Sequence, residues 1–519
     1  MARARWIFLL LLLALGLSAC RPVPRVLGPA ASPTRTPAPA LGAKAQVLIT
    51  PAAQATVTPG PLPTRVISLP MVSSGVNPTP TRLPGNAGER TIHDAYIPYL
   101  GNTGYDVQAY ILRLALDPAE GLWVEGHVTL QILSTLDDLV EFSLDFVSFR
   151  ILEITLDGEP VRYQREGDKL VIFPNQPLAD GQPFELDVTY RGQPLRRSSA
   201  YLPFVNHLGL FLGSSTGTIF ALSEPDGARF WFPCNDHPRD KAVFRFELAV
   251  PEGITAAANG LLAEHTAGVP DLMPDGRTGD LYVWEHNAPM ATYLATVVVG
   301  DYRLVEGGSP GGVPLRSYAY PESEEMLTEL TPLIGEMVDW MSARLGPYPF
   351  EVLGFAEIEP VGAALETQTL IITPSMDENT MAHEIAHQWF GNWVSLDSWG
   401  EIWRNEGFAT YFAALWETRD DPDDMELIVS QWRRLTNAGP PLLNPPPSEM
   451  FDLNSYWGGA VVAYELHQEI GDEAFFAGLR SYFERYGGGV ASEEQFQAEM
   501  EAAAGRPLDE FFQSRLVGP

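Results

Sequence analysis

Between residues 94 and 302 apolar and polar positions alternate with the two-residue period of half-buried strands. Residues 105–112 open the pattern, Val128, Leu130 and Ile132 repeat it, and residues 184–190 repeat it again. Asp157-Gly158 is a hairpin-turn signal between two such runs. No long helical period interrupts these strands, so a β sandwich or saddle-shaped all-β domain is expected over residues 91–303.

After Tyr302 the period changes. A helix is predicted over residues 323–345, with Ser323 as N-cap, Glu324 and Glu325 in the first turn and Gly346-Pro347 as the stop. One or two strands follow as far as Ile372. From Asp377 onward the apolar spacing is helical, broken by loops at residues 439–447 and 487–489. Residues 304–519 therefore read as an α+β, mostly helical domain. The chain is multidomain and has no internal repeat.

The first 90 residues follow neither pattern. Arg3 and Arg5 precede an apolar run from Trp6 to Ala19, short for a membrane span and right for a secretory signal over residues 1–19. The run closes on Leu17-Ser18-Ala19-Cys20, which resembles a bacterial lipobox and implies cleavage before Cys20 and lipid on its sulfur. Residues 20–90 are rich in Pro, Thr, Ala and Gly and read as a disordered, partly polyproline tether. As a flexible coil its reach is roughly 45 Å. The protein is expected to be exported and anchored to a bacterial cell membrane.

Composition narrows the partners. The chain carries a net charge of −33, while residues 1–90 hold nine Lys/Arg against one Glu, leaving −41 for the remainder. So acidic a folded region repels nucleic acid and anionic lipid, which argues against either as a ligand. Of only two cysteines, Cys20 is the candidate for lipid and Cys234 reads as a small buried hydrophobe, so no internal disulfide is expected.

The chemistry-bearing stretch is His383-Glu384-Ile385-Ala386-His387. On a helix running to a stop at Gly391, His383 and His387 share one face a turn apart and can each give a ring nitrogen to one metal ion. Zinc suits imidazole and carboxylate ligands and leaves a catalytic position open to water. Glu384 directly follows the first histidine and is placed to take a proton from that water. The third ligand should be acidic and on a separate helix, and Glu406 fits, 19 positions beyond His387. With nine histidines in the chain, about 0.01 chance matches to this pattern are expected from ordinary composition.

His383-Glu384-x-x-His387, eighteen residues and then Asn405-Glu406-Gly407-Phe408-Ala409 resemble the zinc aminopeptidases (gluzincins) related to aminopeptidase N and leukotriene hydrolase. The likeness runs from about Asp94 to the C-terminus. It implies a thermolysin-like catalytic domain behind the N-terminal β domain, with one zinc per chain. Residues 223–229 and 231–238 and Lys241-Ala242 resemble the family's N-terminal signature, and within them His237 reads as a turn residue. By the same resemblance Tyr456, in Tyr456-Trp457-Gly458-Gly459-Ala460, is the oxyanion-stabilising phenol, although Gly458 stands where the family has Lys; Tyr464 is the runner-up. Glu366, in Gly362-Ala363-Ala364-Leu365-Glu366-Thr367, matches the family's amine-binding block in its acid while its neighbours depart. Glu224 is the second expected amine-binding carboxylate. Trp399, Trp403 and Phe408 are expected to pack around the ligand helices, with Asn405 and Thr410 as outer partners of the metal ligands. On this resemblance the extra C-terminal domain of longer relatives has no expected counterpart.

The function expected is an exported zinc aminopeptidase acting on peptides with a free N-terminus. Two other classes stay open: a different hydrolase on the same zinc site, such as an epoxide hydrolase or an endopeptidase, and a catalytically silent surface-binding module.

Overall fold

The computed structural model describes residues 83–203, 205–436 and 439–517. The signal-like run, Cys20 and nearly all of the expected tether lie outside the described residues.

An eight-stranded sheet is the spine of the β domain. Its order is Leu261–Val269, Gly279–Met290, Ala242–Pro251, Tyr105–Leu116, Val124–Ser134, Pro183–Gly192, Arg150–Leu156 and Glu159–Pro160. All neighbours are antiparallel except Ala242–Pro251 with Tyr105–Leu116. The alternation read from the sequence sets the register: Val128 pairs with Leu112 and Val188, and all three side chains are buried. Asp157 and Gly158 both take positive φ, as the tight hairpin there requires. Two four-stranded sheets complete this half.

The strand Asn86–Ala87 pairs in parallel with Leu139–Asp145, and Arg90 forms an ion pair with Glu141 at 2.9 Å. The folded region therefore begins inside the segment expected to be tether. A two-residue strand carries no periodicity, and only its partner shows it.

At Arg303 the chain passes into a further sheet, ordered Arg303–Gly308, Pro314–Ala319, Phe355–Glu357 and Ile371–Thr373. The helices of this half are α1 (Glu324–Leu345), which packs on the first two of these strands, and then α2 (Glu378–His387), α3 (Trp403–Glu417), α4 (Asp423–Thr436), α5 (Gly459–Tyr486), α6 (Glu493–Ala504) and α7 (Asp509–Phe512). Ser323 stands at the N-cap position of α1 but does not cap it; its hydroxyl donates to Glu357 Oε1 at 3.0 Å. Helix α3 is buried nearly all round, which suits a central helix better than a surface one.

The two halves are clasped by buried polar groups. Asp94 accepts from Ser398 Oγ at 2.7 Å and Trp399 N at 3.1 Å, and pairs with His237 Nε2 at 3.0 Å. His237 thus braces Asp94, the residue that reaches the other half, and is also part of a turn. Lys241 Nζ reaches Asn392 O at 2.8 Å and Trp393 O at 3.2 Å. Trp399, Ile402, Met450 and Phe451 join the β-domain core across this seam. Burying an apolar side chain of that size contributes about 1.5–3 kcal/mol. Cys234 is free and buried, and burial pushes its thiol well up.

Candidate metal centre and its surroundings

Helix α2 starts where Asp377 accepts from Thr380 N at 3.0 Å, an N-cap that holds the first turn. Glu378 adds an acidic group to that turn. The helix ends at His387, three residues earlier than the apolar pattern suggests, and Gly391 turns the chain with φ +104°. A Cβ at Gly391 would stand 2.7 Å from Asn405 Nδ2, so the turn is packed directly against the start of α3. Ser398 accepts from Gly400 N at 3.2 Å and leads the chain into α3, with Glu406 in its first turn.

These two helices bring three donors together. His383 Nε2 lies 3.0 Å from His387 Nε2 and 3.3 Å from Glu406 Oε2, and His387 Nε2 lies 3.5 Å from the same carboxylate oxygen. A tetrahedral zinc site with bonds of 2.0–2.1 Å has ligand atoms about 3.3 Å apart. The observed spacing fits that figure. His387 Nδ1 faces Phe390 O at 3.1 Å and His383 Nδ1 faces Thr410 Oγ1 at 3.5 Å, which leaves each Nε2 turned inward. Thr410 is thus an outer partner as expected; Asn405 instead packs on Gly391.

The charge balance favours a cation. Glu224, Glu366, Glu384 and Glu406 are all buried around two imidazoles. Burial disfavours a charged His387, yet Glu366 and Glu406 outweigh it and push the ring up to about 10. Burial also opposes the Glu406 carboxylate, but His387 and His383 hold it down to about 2. Burial lowers His383. Surroundings this acidic favour positive charge on the imidazoles, and the same donors suit a divalent ion.

Glu384, one residue on from His383, is raised well above the usual carboxylate range by burial first, with Glu366 and Glu406 adding to it. Glu366 and Glu224 each bury an oxygen, Oε1, that has no hydrogen-bond partner. Glu366 is pushed up to about 7 by burial. Glu224 is raised by burial and then by Glu366, Glu406 and Glu384, which brings it into the same electrostatic cluster.

Tyr456 stacks on His383 with ring centroids 5.9 Å apart. Burial and the carboxylates Glu406, Glu224, Glu366 and Glu384 raise its phenol far above 10, so it stays a hydrogen-bond donor. It sits in a π-helical turn, Asn454–Gly458, ahead of α5, a form of turn frequent at functional sites. Gly458 has a local reason: any Cβ there would collide with Asn454 Oδ1, whose side chain folds over the position. Tyr464 points elsewhere and donates to Glu426 Oε2 at 2.8 Å. Trp399, Trp403 and Phe408 are fully buried beside the ligand helices. Spacing did not reveal Gln388 and Asn392, whose side chains grip the backbone of Glu366.

The M1 N-terminal domain model of the peptidases matches residues 105–294, and the peptidase family M1 domain model matches residues 367–514. Aminopeptidase M1-B of Oryza sativa is 27% identical over 413 residues, covering 70% of this chain and 45% of the rice protein. Human glutamyl aminopeptidase is 28% identical over 319 residues, 55% of this chain and 32% of its own length. The chain spans less than half the length of these curated relatives. A crystal structure of an M1 zinc metallopeptidase from Deinococcus radiodurans is similar with a TM-score of 0.72 and 28% identity, covering 82% of this chain and 97% of that one. A mutant of that enzyme has been solved with a Tyr-Ser-Ala substrate. With both halves of the chain matched in order and the donor set suited to zinc, the protein belongs to peptidase family M1.

Proposed function

We propose that the protein is a zinc aminopeptidase that removes N-terminal residues from peptides. The observation that carries this reading is the pair of buried carboxylate oxygens on Glu366 and Glu224 that accept no hydrogen bond, in the same electrostatic cluster as the His383, His387 and Glu406 donors, with His387 Nδ1 4.0 Å from that of Glu366. A buried carboxylate without a donor is costly unless a cation meets it, and a substrate ammonium is such a cation.

His383, His387 and Glu406 would hold the zinc, which when bound supplies a Lewis acid for the scissile carbonyl and lowers the pKa of water. Glu384 takes the proton from the attacking water and returns it to the leaving amine. The Tyr456 hydroxyl donates to the oxyanion that develops on the carbonyl oxygen. Glu366 and Glu224 receive the α-ammonium and so fix the reacting bond one residue from the chain end. Relatives named as aminopeptidases support this reading.

We further propose that the protein is exported and held on a bacterial membrane by lipid at Cys20, with the Pro/Thr-rich segment as its tether. The basic start, the apolar run and Leu17-Ser18-Ala19-Cys20 support it. Turnover of aminoacyl fluorogenic substrates, measured with and without a chelator, tests the catalytic reading. Activity that the chelator abolishes and zinc restores is expected; turnover indifferent to the chelator would exclude it.

A further inference from the structure

The carboxylate of Glu366 is buried, yet its Oε1 accepts no hydrogen bond and has His387 Nδ1 4.0 Å away. What holds the residue is its own main-chain carbonyl. Asn392 Nδ2 donates to Glu366 O at 2.7 Å and Gln388 Nε2 donates to the same oxygen at 3.1 Å. Both donors come from the turn that leaves the metal-ligand helix. Gln388 directly follows His387, and Asn392 N donates to His387 O at 3.1 Å.

The grip has a second end. Gln388 Oε1 accepts from Thr369 N at 3.1 Å, so one glutamine holds the chain at both 366 and 369. Thr369 is fully buried with φ +67°, a conformation that a β-branched residue adopts only when its surroundings impose it. Gly260 N donates to Thr369 Oγ1 at 2.7 Å and completes that imposition from the β domain. Asn392 is anchored in turn, since its carbonyl accepts from the half-buried Lys241 at 2.8 Å.

We propose that Asn392 and Gln388 are positioning residues for substrate-amine recognition: they locate Glu366 relative to the metal ligands through its backbone carbonyl and leave its Oε1 without a protein hydrogen bond. A side-chain donor would locate the carboxylate equally well but would compete with the ammonium for the same oxygens. Holding the backbone avoids that competition. The line from Lys241 through Asn392 to Glu366 couples the β domain to the amine site. This inference rests on the aminopeptidase reading and on Glu366 as the amine carboxylate.

The test compares kcat/KM for a free-amine peptide and its N-acetylated twin on wild type, Asn392→Ala, Glu366→Ala and the double variant. Zinc content and thermal unfolding are measured alongside. Asn392→Ala should lower the free-to-acetylated ratio by roughly ten- to a hundredfold, the range for losing an orienting partner. In the Glu366→Ala background it should leave that ratio unchanged, because the two residues act as one unit. Should Asn392→Ala fail to fold, Gln388→Met, which keeps the volume and removes the hydrogen bonds to Glu366 O and from Thr369 N and Tyr348 Oη, carries the same comparison. A variant that slows both peptides equally, or that still lowers the ratio without Glu366, would overturn the inference. A wild type blind to acetylation would overturn the aminopeptidase reading with it, and a Glu366→Ala enzyme with undiminished preference would remove Glu366, so the three failures are separable.

Discussion

Gly407 and Gly459 meet backbone to backbone: a Cβ on Gly407 would lie 2.6 Å from the carbonyl carbon of Gly459, and one on Gly459 would lie 2.8 Å from Gly407 Cα. Gly407 follows Glu406 and Gly459 lies three residues beyond Tyr456, so this contact sets how near α3 and the π-helical turn can come. Two small residues let a metal-ligand carboxylate and a phenol share one site. Gly407→Ala or Gly459→Ala should push the helices apart and destabilise the fold by about 1–3 kcal/mol, as overpacking does. Thermal unfolding checks the stability, and turnover should fall more than zinc content does. An alanine variant with wild-type melting and turnover would show that the contact has slack.

Glu384→Gln keeps the size of the side chain and cannot take up a proton. It should retain about one zinc per chain and lose on the order of 10²–10⁴ in kcat. Metal analysis and steady-state rates on the same preparation check this. Near-normal turnover would remove Glu384 from the mechanism.

Asp94 and His237 give the seam between the halves an acid dependence. Burial works against the Asp94 carboxylate, but bonds from His237, Ser398 and the Tyr96 amide hold it well below its ordinary 3.8. Burial lowers His237 below its ordinary 6.5 even with Asp94 opposing. Both folded-state values are depressed, so the unfolded chain binds more protons and stability falls as pH falls. The His237 contribution goes first, below pH 6.5, and the Asp94 contribution below pH 3.8. Asp94→Asn should lower stability at pH 7 by about 2 kcal/mol, a charge-assisted network weakened, and should remove the loss below pH 3.8 while enlarging the one that His237 sets below pH 6.5. Denaturant midpoints from pH 7 to pH 3 check it; wild-type and variant curves running parallel would contradict the role.

The metal donors were legible because their signal is local: two histidines at i and i+4 on one helix, then an acid at a fixed distance along the chain. The β domain was legible because its strands largely keep a two-residue alternation, broken only at Val128-Thr129-Leu130 in Val124–Ser134 and at the last two residues of Pro183–Gly192. What the chain order hid depends on partners far away in sequence. Asp94 meets Ser398 and Trp399 more than 300 residues later. Asn86–Ala87 is a strand only because Leu139 offers an edge. Gly458 lies beneath the Asn454 side chain, which no spacing rule contains. Gln388 and Asn392 read as the polar tail of a helix until the carbonyl of Glu366 is seen beneath them.

The proposed anchor has a direct chemical test. Metabolic labelling with a fatty acid should mark the wild type and not Cys20→Ser, which cannot form the thioether. Label retained in the variant would show that the lipid, if any, sits elsewhere.

The most direct measurement is a comparison of kcat/KM for one peptide with its N-terminus free and acetylated. A buried carboxylate pair aimed at an ammonium should reject the blocked peptide by at least about a hundredfold, roughly 3 kcal/mol for a lost charge-assisted contact. Equal cleavage of the two peptides would contradict the aminopeptidase reading and leave only a zinc hydrolase.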